Sequence, residues 1–190
     1  ISAKYIALCD GDDAWGDPLK IQKQFDFMEA NARYAVCGHD SKIVDETGAL
    51  LSESKLPEGA KRDCSDAELR RLSCWVLTNT IFYRGSVHLP ETIGCVVNQD
   101  RMLWSMLGGM GHYKYMPEVA PAIYRKHNAG IWSSKNGLSQ LVTQSITDLR
   151  LVEHYLAQGD QETSLYLLLR TQHELNRVKV NQPQAVQQAS

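Results

Sequence analysis

The sequence lacks the long apolar runs and the charge excess that identify several large classes of protein. No run of about 18 apolar residues occurs, so we expect no membrane-spanning helix. Lys and Arg number 20 against 22 Asp and Glu, a net charge of −2, which argues against a nucleic-acid-binding surface. A basic and then apolar leader is also lacking. Because the chain starts at Ile1 rather than at Met, we expect it to be a fragment of a longer protein.

The five cysteines show no spacing that is typical of a structural framework. Their number is odd and no two are placed as CxxC or CxxxC, so we expect neither a disulfide framework nor a thiolate zinc site. This absence favours a reducing compartment. The expected location is the cytoplasm, including the inner face of the membrane.

The first part of the chain predicts an α/β fold. Residues 4–9 form a continuous apolar run, which favours a strand buried on both faces, as in a parallel sheet. Asp17 and Pro18 then resemble a helix start, followed by one apolar helix face, made of Ile21, Phe25, Met28 and Ala32. The remaining patterns predict a capping box at 65–68, a helix at 100–107 and strands at 35–39, 43–44, 74–84 and 119–125.

The pattern changes from Leu138 onward to two amphipathic helices, which we expect to form a hairpin. The last ten residues are rich in Gln and nearly without large apolar side chains, and we predict them to be disordered. The expected organisation is therefore a main portion at 1–135, a helical extension at 136–180 and a disordered tail at 181–190.

Three carboxylates, Asp10, Asp12 and Asp13, directly follow the first predicted strand. Such a cluster repels itself unless a cation lies among its members. In open α/β sheets ligands bind at the carboxyl ends of the strands. Oxygen ligands at that position suit Mg²⁺ or Mn²⁺, shared with phosphate oxygens. The alternative interpretation is an acidic turn that only caps the following helix.

Two further residues are candidates for chemistry. Asp100 opens a predicted helix, where it can be the N-cap or a carboxylate that is kept ionised and accepts a proton; the two roles are compatible. His127 follows a predicted strand and precedes a Gly-containing loop. A lone His is more often structural than a metal ligand, but the position of His127 favours the role of a metal ligand.

Three segments together resemble the family 2 glycosyltransferases of the GT-A fold. KYIALCDGDDAWGDPLKIQKQFDFM is similar to the family's centre, where a strand ends in a DxD-type motif before an aromatic residue, a Pro and a Lys-rich helix. NQDRMLW is similar to the acidic motif that carries the catalytic base, and YRKHNAGIWS to the closing His-containing segment. The order and separations agree over residues 2–133.

The resemblance implies a partial GT-A, Rossmann-like sheet with flanking helices and a C-terminal helical hairpin. It implies an inverting transfer of a sugar from a nucleotide-diphosphate donor to an acceptor hydroxyl. The sequence lacks the Q-x-x-R-W pattern of the family's processive polysaccharide synthases and any membrane helix, which favours a non-processive addition of single sugars. By this resemblance Asp12, helped by Asp10 or Asp13, holds Mg²⁺ or Mn²⁺, and His127 completes the coordination. Asp10 and Asp13 are the candidates for donor binding, and because DGDD allows more than one register, the division between metal and donor ligands stays open. Asp100 is the implied catalytic base.

The resemblance also implies partners and an incomplete donor site. The donor would be UDP- or dTDP-linked, and the acceptor a glycan, a lipid-linked glycan or a protein, with contacts from Trp75, Thr78 and Asn79. The nucleotide-binding half that opens family members does not precede Ile1 in this sequence. We therefore expect the isolated chain to be inactive, with an unpaired sheet edge through which two copies could associate.

Two other interpretations stay open. A strand that ends in D-x-D also begins the haloacid-dehalogenase-like phosphatases, but Ala14 stands where that motif has Thr or Val. The sequence also lacks a convincing downstream Lys followed by an acidic pair. The second alternative is a noncatalytic domain.

Overall fold

The computed structural model describes residues 3–127 and 135–180, which have a mixed α/β architecture. The strands in these ranges are β1 (Tyr5–Ala7), β2 (Tyr34–Gly38), β3 (Ser41–Val44), β4 (Leu50–Ser52), β5 (Phe82–Arg84), β6 (His112–Tyr115) and β7 (Ala122–Arg125). The α-helices are α1 (Lys20–Ala30), α2 (Asp66–Arg70), α3 (Gln99–Gly108), α4 (Gly137–Ala157) and α5 (Gln161–Val180). The predicted disordered tail at 181–190 lies outside the described residues, as do residues 128–134 of the His-containing segment.

The chain divides into two compact units. The first comprises residues 1–91 and 103–134, and the second comprises residues 92–102 and 135–190. All seven strands belong to the first unit, whereas α4 and α5 belong to the second.

Two small mixed sheets form the first unit. One has the strand order β1-β5-β2-β6, and the other β4-β3-β7. β2 lies inside its sheet, antiparallel to β5 and parallel to β6, and all five of its residues are buried. β3 is parallel to β7 and antiparallel to β4. The predicted α/β class is therefore confirmed.

The first strand is present, but its predicted position inside a parallel sheet, buried on both faces, was wrong. β1 pairs antiparallel with β5, with Tyr5 opposite Arg84, and within the described residues it has no second neighbour. Its three residues are only partly buried. An edge strand with one partner covers its apolar side chains incompletely. The apolar run alone does not distinguish this arrangement from a parallel strand inside a sheet.

Helix α1 turns a different face inward from the one predicted. Its buried residues are Lys20, Gln24 and Met28, whereas Ile21 and Phe25 are exposed. The Nζ atom of Lys20 donates to Oε1 of Gln24 at 2.7 Å, and Nε2 of Gln24 donates to the carbonyl oxygen of Thr80 at 2.9 Å. These hydrogen bonds offset the cost of burying two polar side chains.

Helix α2 begins at the predicted capping box. The backbone N–H of Glu68 donates to Oγ of Ser65 at 3.2 Å, and the N–H of Ser65 donates to Oε2 of Glu68 at 2.9 Å. Two N–H groups that the first helical turn leaves unpaired are thereby satisfied.

The expectation that no cysteines are paired was wrong. Cys64 and Cys74, whose Cα atoms are 6.3 Å apart, form a disulfide that spans α2. The sequence separation of 10 matches no motif spacing, so the pattern carried no signal for it. The prediction of a reducing compartment depended on the lack of paired cysteines, and the disulfide removes that support.

The second unit contains the predicted helical hairpin. α4 and α5 pack against each other and are joined through Gly159, whose φ of +78° lies in the left-handed region that favours glycine. Across the described ranges, no helix combines the length and the apolarity that crossing a membrane would require.

Candidate functional site

The acidic segment after β1 is a tight turn that is fixed against β7. The backbone N–H of Asp13 donates to the carbonyl oxygen of Asp10 at 3.1 Å. The next residue, Ala14, exchanges two backbone hydrogen bonds with Ile123, at 3.1 and 2.7 Å. Residues of the acidic turn are therefore held beside a strand that follows more than a hundred positions later.

Asp12 and His127, the two predicted metal ligands, meet at this place. Nε2 of His127 lies 2.7 Å from Oδ2 of Asp12, although the residues are 115 positions apart. The side chains are 45% and 24% exposed, respectively, so a ligand can reach both. The hydrogen bond to His127 is the main cause that holds the pKa of Asp12 below its ordinary value.

Asp13 lies deeper than Asp12 and has a different environment. Its Oδ1 accepts the backbone N–H of Arg125 at 3.0 Å. Burial raises the pKa of this carboxyl, and the neighbouring charges of Asp12 and Asp10 raise it further. The hydrogen bond from Arg125 and the charge of Lys55 act in the opposite direction and lower the pKa of Asp13. Asp10 is exposed at the start of the turn.

Two positively charged side chains, Arg125 and Lys55, lie near the acidic turn. The sequence analysis assigned neither of them to a site. The guanidinium of Arg125 donates to the carbonyl oxygens of Asp12 at 3.3 Å and of Asp45 at 3.2 Å. It thereby bridges the acidic turn to the β3–β4 hairpin. Nζ of Lys55 lies 2.9 Å from the ring centre of Tyr124. The only sequence signal for Arg125 was its position two residues before His127; Lys55 had none.

Lys55 is placed by a buried carboxylate at the end of β2. Asp40 accepts the backbone N–H groups of Ser41, Lys55 and Leu56 and the hydroxyl of Ser54. Burial raises the pKa of Asp40, but these hydrogen bonds outweigh it and leave the pKa lowered. Asp40 is therefore an ionised anchor for the loop that carries Lys55.

Trp15, which follows the acidic turn, contacts the polar residues Asn79 and Lys20. We refer to these three residues as the floor of the site. Nε1 of Trp15 donates to the carbonyl oxygen of Asn79 at 3.0 Å, and Nζ of Lys20 lies 4.4 Å from the Trp15 ring centre. Burial lowers the pKa of Lys20 to about 8. Sequence reasoning missed Lys20 because the apolar periodicity of the helix pointed to the neighbouring face.

Nε2 of His39 and Nδ2 of Asn79 are among the buried atoms of the first unit for which the described residues offer no hydrogen-bond partner. Burial lowers the pKa of His39 to about 4, so its ring is neutral at pH 7. Unpaired buried polar atoms are uncommon in folded proteins and each one needs an explanation, such as a water or ion that binds there.

The three predicted acceptor residues occupy different surroundings. Trp75 is exposed. Thr78 and Asn79 belong to a short 3₁₀-helix, and Asn79 is buried, with its Oδ1 accepting the hydroxyl of Ser41 at 3.0 Å. The structure thus joins Asn79 to Trp15 as part of the floor, and the acceptor role of all three residues stays a prediction.

Asp100, the predicted base, lies in the first turn of α3, as expected, and belongs to the second unit. Its Oδ1 accepts the backbone N–H of Arg101 at 2.8 Å. Nη2 of Arg101 contacts both carboxylate oxygens of Asp148 on α4, at 2.7 and 3.0 Å. The ion pair is nearly buried and fixes the helix turn that carries Asp100 to the hairpin.

Comparison with known proteins gives relatives but no function. No family model matches the chain. Over 132 residues it is 36% identical to an uncharacterized protein of Mycobacterium bovis and to uncharacterized proteins of two Mycobacterium tuberculosis strains. The matched region covers 69% of this chain and 37% of each relative, so the chain spans little more than a third of the length of these curated relatives.

Proposed function

We propose that this chain is the metal-binding and acceptor-binding portion of an inverting glycosyltransferase of family 2 with the GT-A fold. The enzyme transfers single sugars from a UDP- or dTDP-linked donor to a hydroxyl of a glycan, a lipid-linked glycan or a protein. Nucleic acid is not among its partners. The proposal concerns the whole protein, of which this chain supplies the residues named below.

The meeting of Asp12 and His127 is the observation that carries the proposal. The resemblance to the family named both residues as ligands of one metal ion from two separate motifs. Their Oδ2 and Nε2 atoms lie 2.7 Å apart at the end of the strand β1. An acidic turn that only capped the following helix would not require a histidine 115 positions later.

The donor set fits Mg²⁺ or Mn²⁺ that is shared with a substrate. Ligands at about 2.1 Å from an octahedral ion lie roughly 3 Å from each other, close to the distance between the two side-chain atoms. No group of three or more His, Cys, Asp or Glu side chains that could hold a metal occurs among residues 3–127 and 135–180. Two protein ligands leave positions for water and diphosphate oxygens, which is the usual manner of binding for these ions.

The residues divide the chemistry as follows. Asp12 and His127 would hold the ion, which would supply positive charge to neutralise the diphosphate leaving group. Asp13 and Asp10 bind the donor, and Lys55 and Arg125 add positive charge around the turn. Asp100 accepts the proton of the acceptor hydroxyl while its oxygen bonds to the anomeric carbon and the bond to the diphosphate breaks. A well-placed general base contributes roughly 10²–10⁴ to such a rate.

The test is sugar transfer by the full natural protein with UDP- and dTDP-sugars in the presence of Mn²⁺. Asp100→Asn should reduce transfer at least about 100-fold and leave donor and Mn²⁺ binding unchanged. Asp66→Asn is the matched control, because Asp66 likewise lies in the first turn of a helix; it should retain transfer.

Three results would overturn the proposal or part of it. Undiminished transfer by Asp100→Asn would remove that residue from the role of base. Release of phosphate from small phosphoesters, without release of nucleotide diphosphate, would favour the phosphatase interpretation. Failure of the full protein to bind either nucleotide would favour a noncatalytic domain.

A further inference from the structure

Helix α4 exposes a row of apolar side chains to solvent, in addition to the apolar and polar side chains that it buries. The exposed apolar residues are 44–55% accessible and share one face: Leu138, Val142, Ile146, Leu149 and Leu156. The buried residues of α4 are the polar Thr143, Ser145, Thr147 and Asp148 together with the apolar Leu151, Val152 and Tyr155. Amphipathic helices of globular proteins normally turn the apolar stripe inward. Within the part of the chain that the structure describes, this second apolar face stays accessible to solvent.

Helix α5 also exposes large apolar side chains. They are 38–56% accessible and comprise Leu165, Tyr166, Leu168, Leu169 and Leu175. Its buried residues include Thr163, Ser164, Leu167 and Thr171, of which only Leu167 is a large apolar residue. We refer to the ten exposed side chains of the two helices together as the hairpin surface.

The hairpin surface is large enough for a stable interface. At about half exposure each of these side chains leaves roughly 80 Å² in contact with water, so the ten together approach the ~800 Å² per partner of a standard protein interface. The largest apolar patch on an ordinary monomer covers only about 300–600 Å². An apolar area of this size indicates a binding surface.

The charges of the hairpin favour a protein partner over a lipid surface. Residues 135–180 contain five Lys and Arg against five Asp and Glu. Helices that lie on anionic membranes carry an excess of Lys and Arg on the polar face. Here the flanking charges instead pair within the helix, as between Arg150 and Glu153 at 2.8 Å. Two copies of such a surface can meet without facing like charges.

We infer that the hairpin surface binds the same surface of a second copy of this chain. A twofold arrangement lets one self-complementary patch satisfy both partners, and the two hairpins would then bury their apolar stripes against each other as in a four-helix bundle. The inference does not depend on the proposed transferase activity. It places self-association at the helices rather than at the edge of β1 that has no partner strand among the described residues.

The test is sedimentation velocity of the 190-residue chain from about 1 to 100 µM. We expect a dimer of twice 21.4 kDa. Ile146→Lys and Leu169→Lys should each raise the dissociation constant about tenfold or more, because each places a charge within the interface. Leu51→Lys, at a similarly exposed residue on β4, is the matched control and should leave the dimer unchanged. Circular dichroism checks that each variant keeps its helix content.

Hydroxyl-radical footprinting of the unmodified chain makes the test independent of any variant. Between 1 and 100 µM, labelling of Leu149 and Leu169 should decrease, and labelling of Leu51 should not. A monomer at all concentrations would overturn the inference, as would a dimer that both Lys variants retain. Protection confined to Tyr5 on β1 would instead identify the sheet edge as the interface. Binding of the monomer to phosphatidylglycerol vesicles would show that the surface serves a membrane.

Discussion

Lys20 is the residue whose burial is hardest to reconcile with an ordinary core. It is 1% exposed, contacts Gln24 and the Trp15 ring, and has no carboxylate among the causes of its lowered pKa. A charged side chain in this environment reduces the stability of the fold at neutral pH. Its position under the segment that follows the acidic turn supplies positive charge at the cost of stability.

Lys20→Met should therefore stabilise the protein at pH 7. A pKa that falls from 10.5 to about 8 corresponds to about 3 kcal/mol between the two protonation states. Because the hydrogen bond to Gln24 is lost, we expect a gain of about 1–3 kcal/mol in the free energy of unfolding. Urea denaturation at pH 7 measures it. A loss of stability would show that the ammonium group is favourable where it lies.

The pH dependence of the same variant has a definite sign. Between pH 8 and 10.5 the unfolded chain holds more protons on Lys20 than the folded chain, so this residue makes stability rise with pH. Lys20→Met should remove that rise, which is read as the difference between the two proteins at each pH. Lys42→Met, which removes an exposed lysine and its ion pair with Glu53, is the control for the loss of a lysine side chain.

The pairing of the acidic segment with β7 depends on a close approach at Gly16. A Cβ atom at Gly16 would overlap the carbonyl oxygen of Pro121, next to the hydrogen bonds between Ala14 and Ile123. Gly16→Ala should therefore lower the free energy of unfolding by about 1–3 kcal/mol and weaken Mn²⁺ binding. Gly11→Ala, inside the turn but with open space around it, should change stability by no more than about 0.5 kcal/mol. Equal effects of the two would contradict this account of the turn.

The ion pair between α3 and α4 allows a second prediction at the level of elements. Asp148→Asn leaves the nearly buried Arg101 without its counter-charge, so we expect a loss of about 3–5 kcal/mol in chemical denaturation. The double variant Arg101→Met with Asp148→Leu should recover most of it, because two apolar side chains leave no unpaired charge. A double variant as unstable as the single one would show that packing, not charge, dominates at this contact.

The elements that sequence reasoning predicted correctly have strong local signals. The capping box at Ser65, the strand β2 and the helix α3 each depend on neighbouring residues. The meeting of Asp12 and His127 was expected only because two motifs resemble those of one family. The periodicity of apolar residues carries no information about contacts over such distances. The antiparallel partner of β1 was missed because an apolar run has no direction.

Three other features depend on tertiary contacts that a pattern does not contain. The inward face of α1 is decided by the hydrogen bonds of Lys20 and Gln24 rather than by its apolar residues. The disulfide between Cys64 and Cys74 depends on the loop around α2. Helix α4 buries only part of its apolar pattern, with Leu151 and Val152 inside and Leu149 and Leu156 exposed.

Considered as a whole, the first unit has a covalent link that the composition did not suggest. A disulfide that closes a loop of this length contributes about 3 kcal/mol in the chain-entropy account. Cys74→Ser should lower the free energy of unfolding by about that amount, measured by urea denaturation under oxidising conditions. Cys95→Ser, at a free and exposed cysteine, is the control. If dithiothreitol leaves the stability of the unmodified protein unchanged, the disulfide does not contribute to it.

At the scale of the whole molecule, the account depends on the site that β1, the acidic turn and β7 form together. The family resemblance, the fold and the distance between Asp12 and His127 lead to one claim. The claim is the proposal that these two side chains bind a divalent ion.

Electron paramagnetic resonance of free Mn²⁺ during titration with the chain tests that claim most directly. We predict one bound Mn²⁺ whose dissociation constant rises at least about tenfold in Asp12→Asn and in His127→Gln. The matched controls, Asp66→Asn and His112→Gln, alter another carboxylate–histidine pair, 3.6 Å apart, and should bind as the unmodified chain does. Binding that is unchanged in Asp12→Asn and His127→Gln would contradict the account.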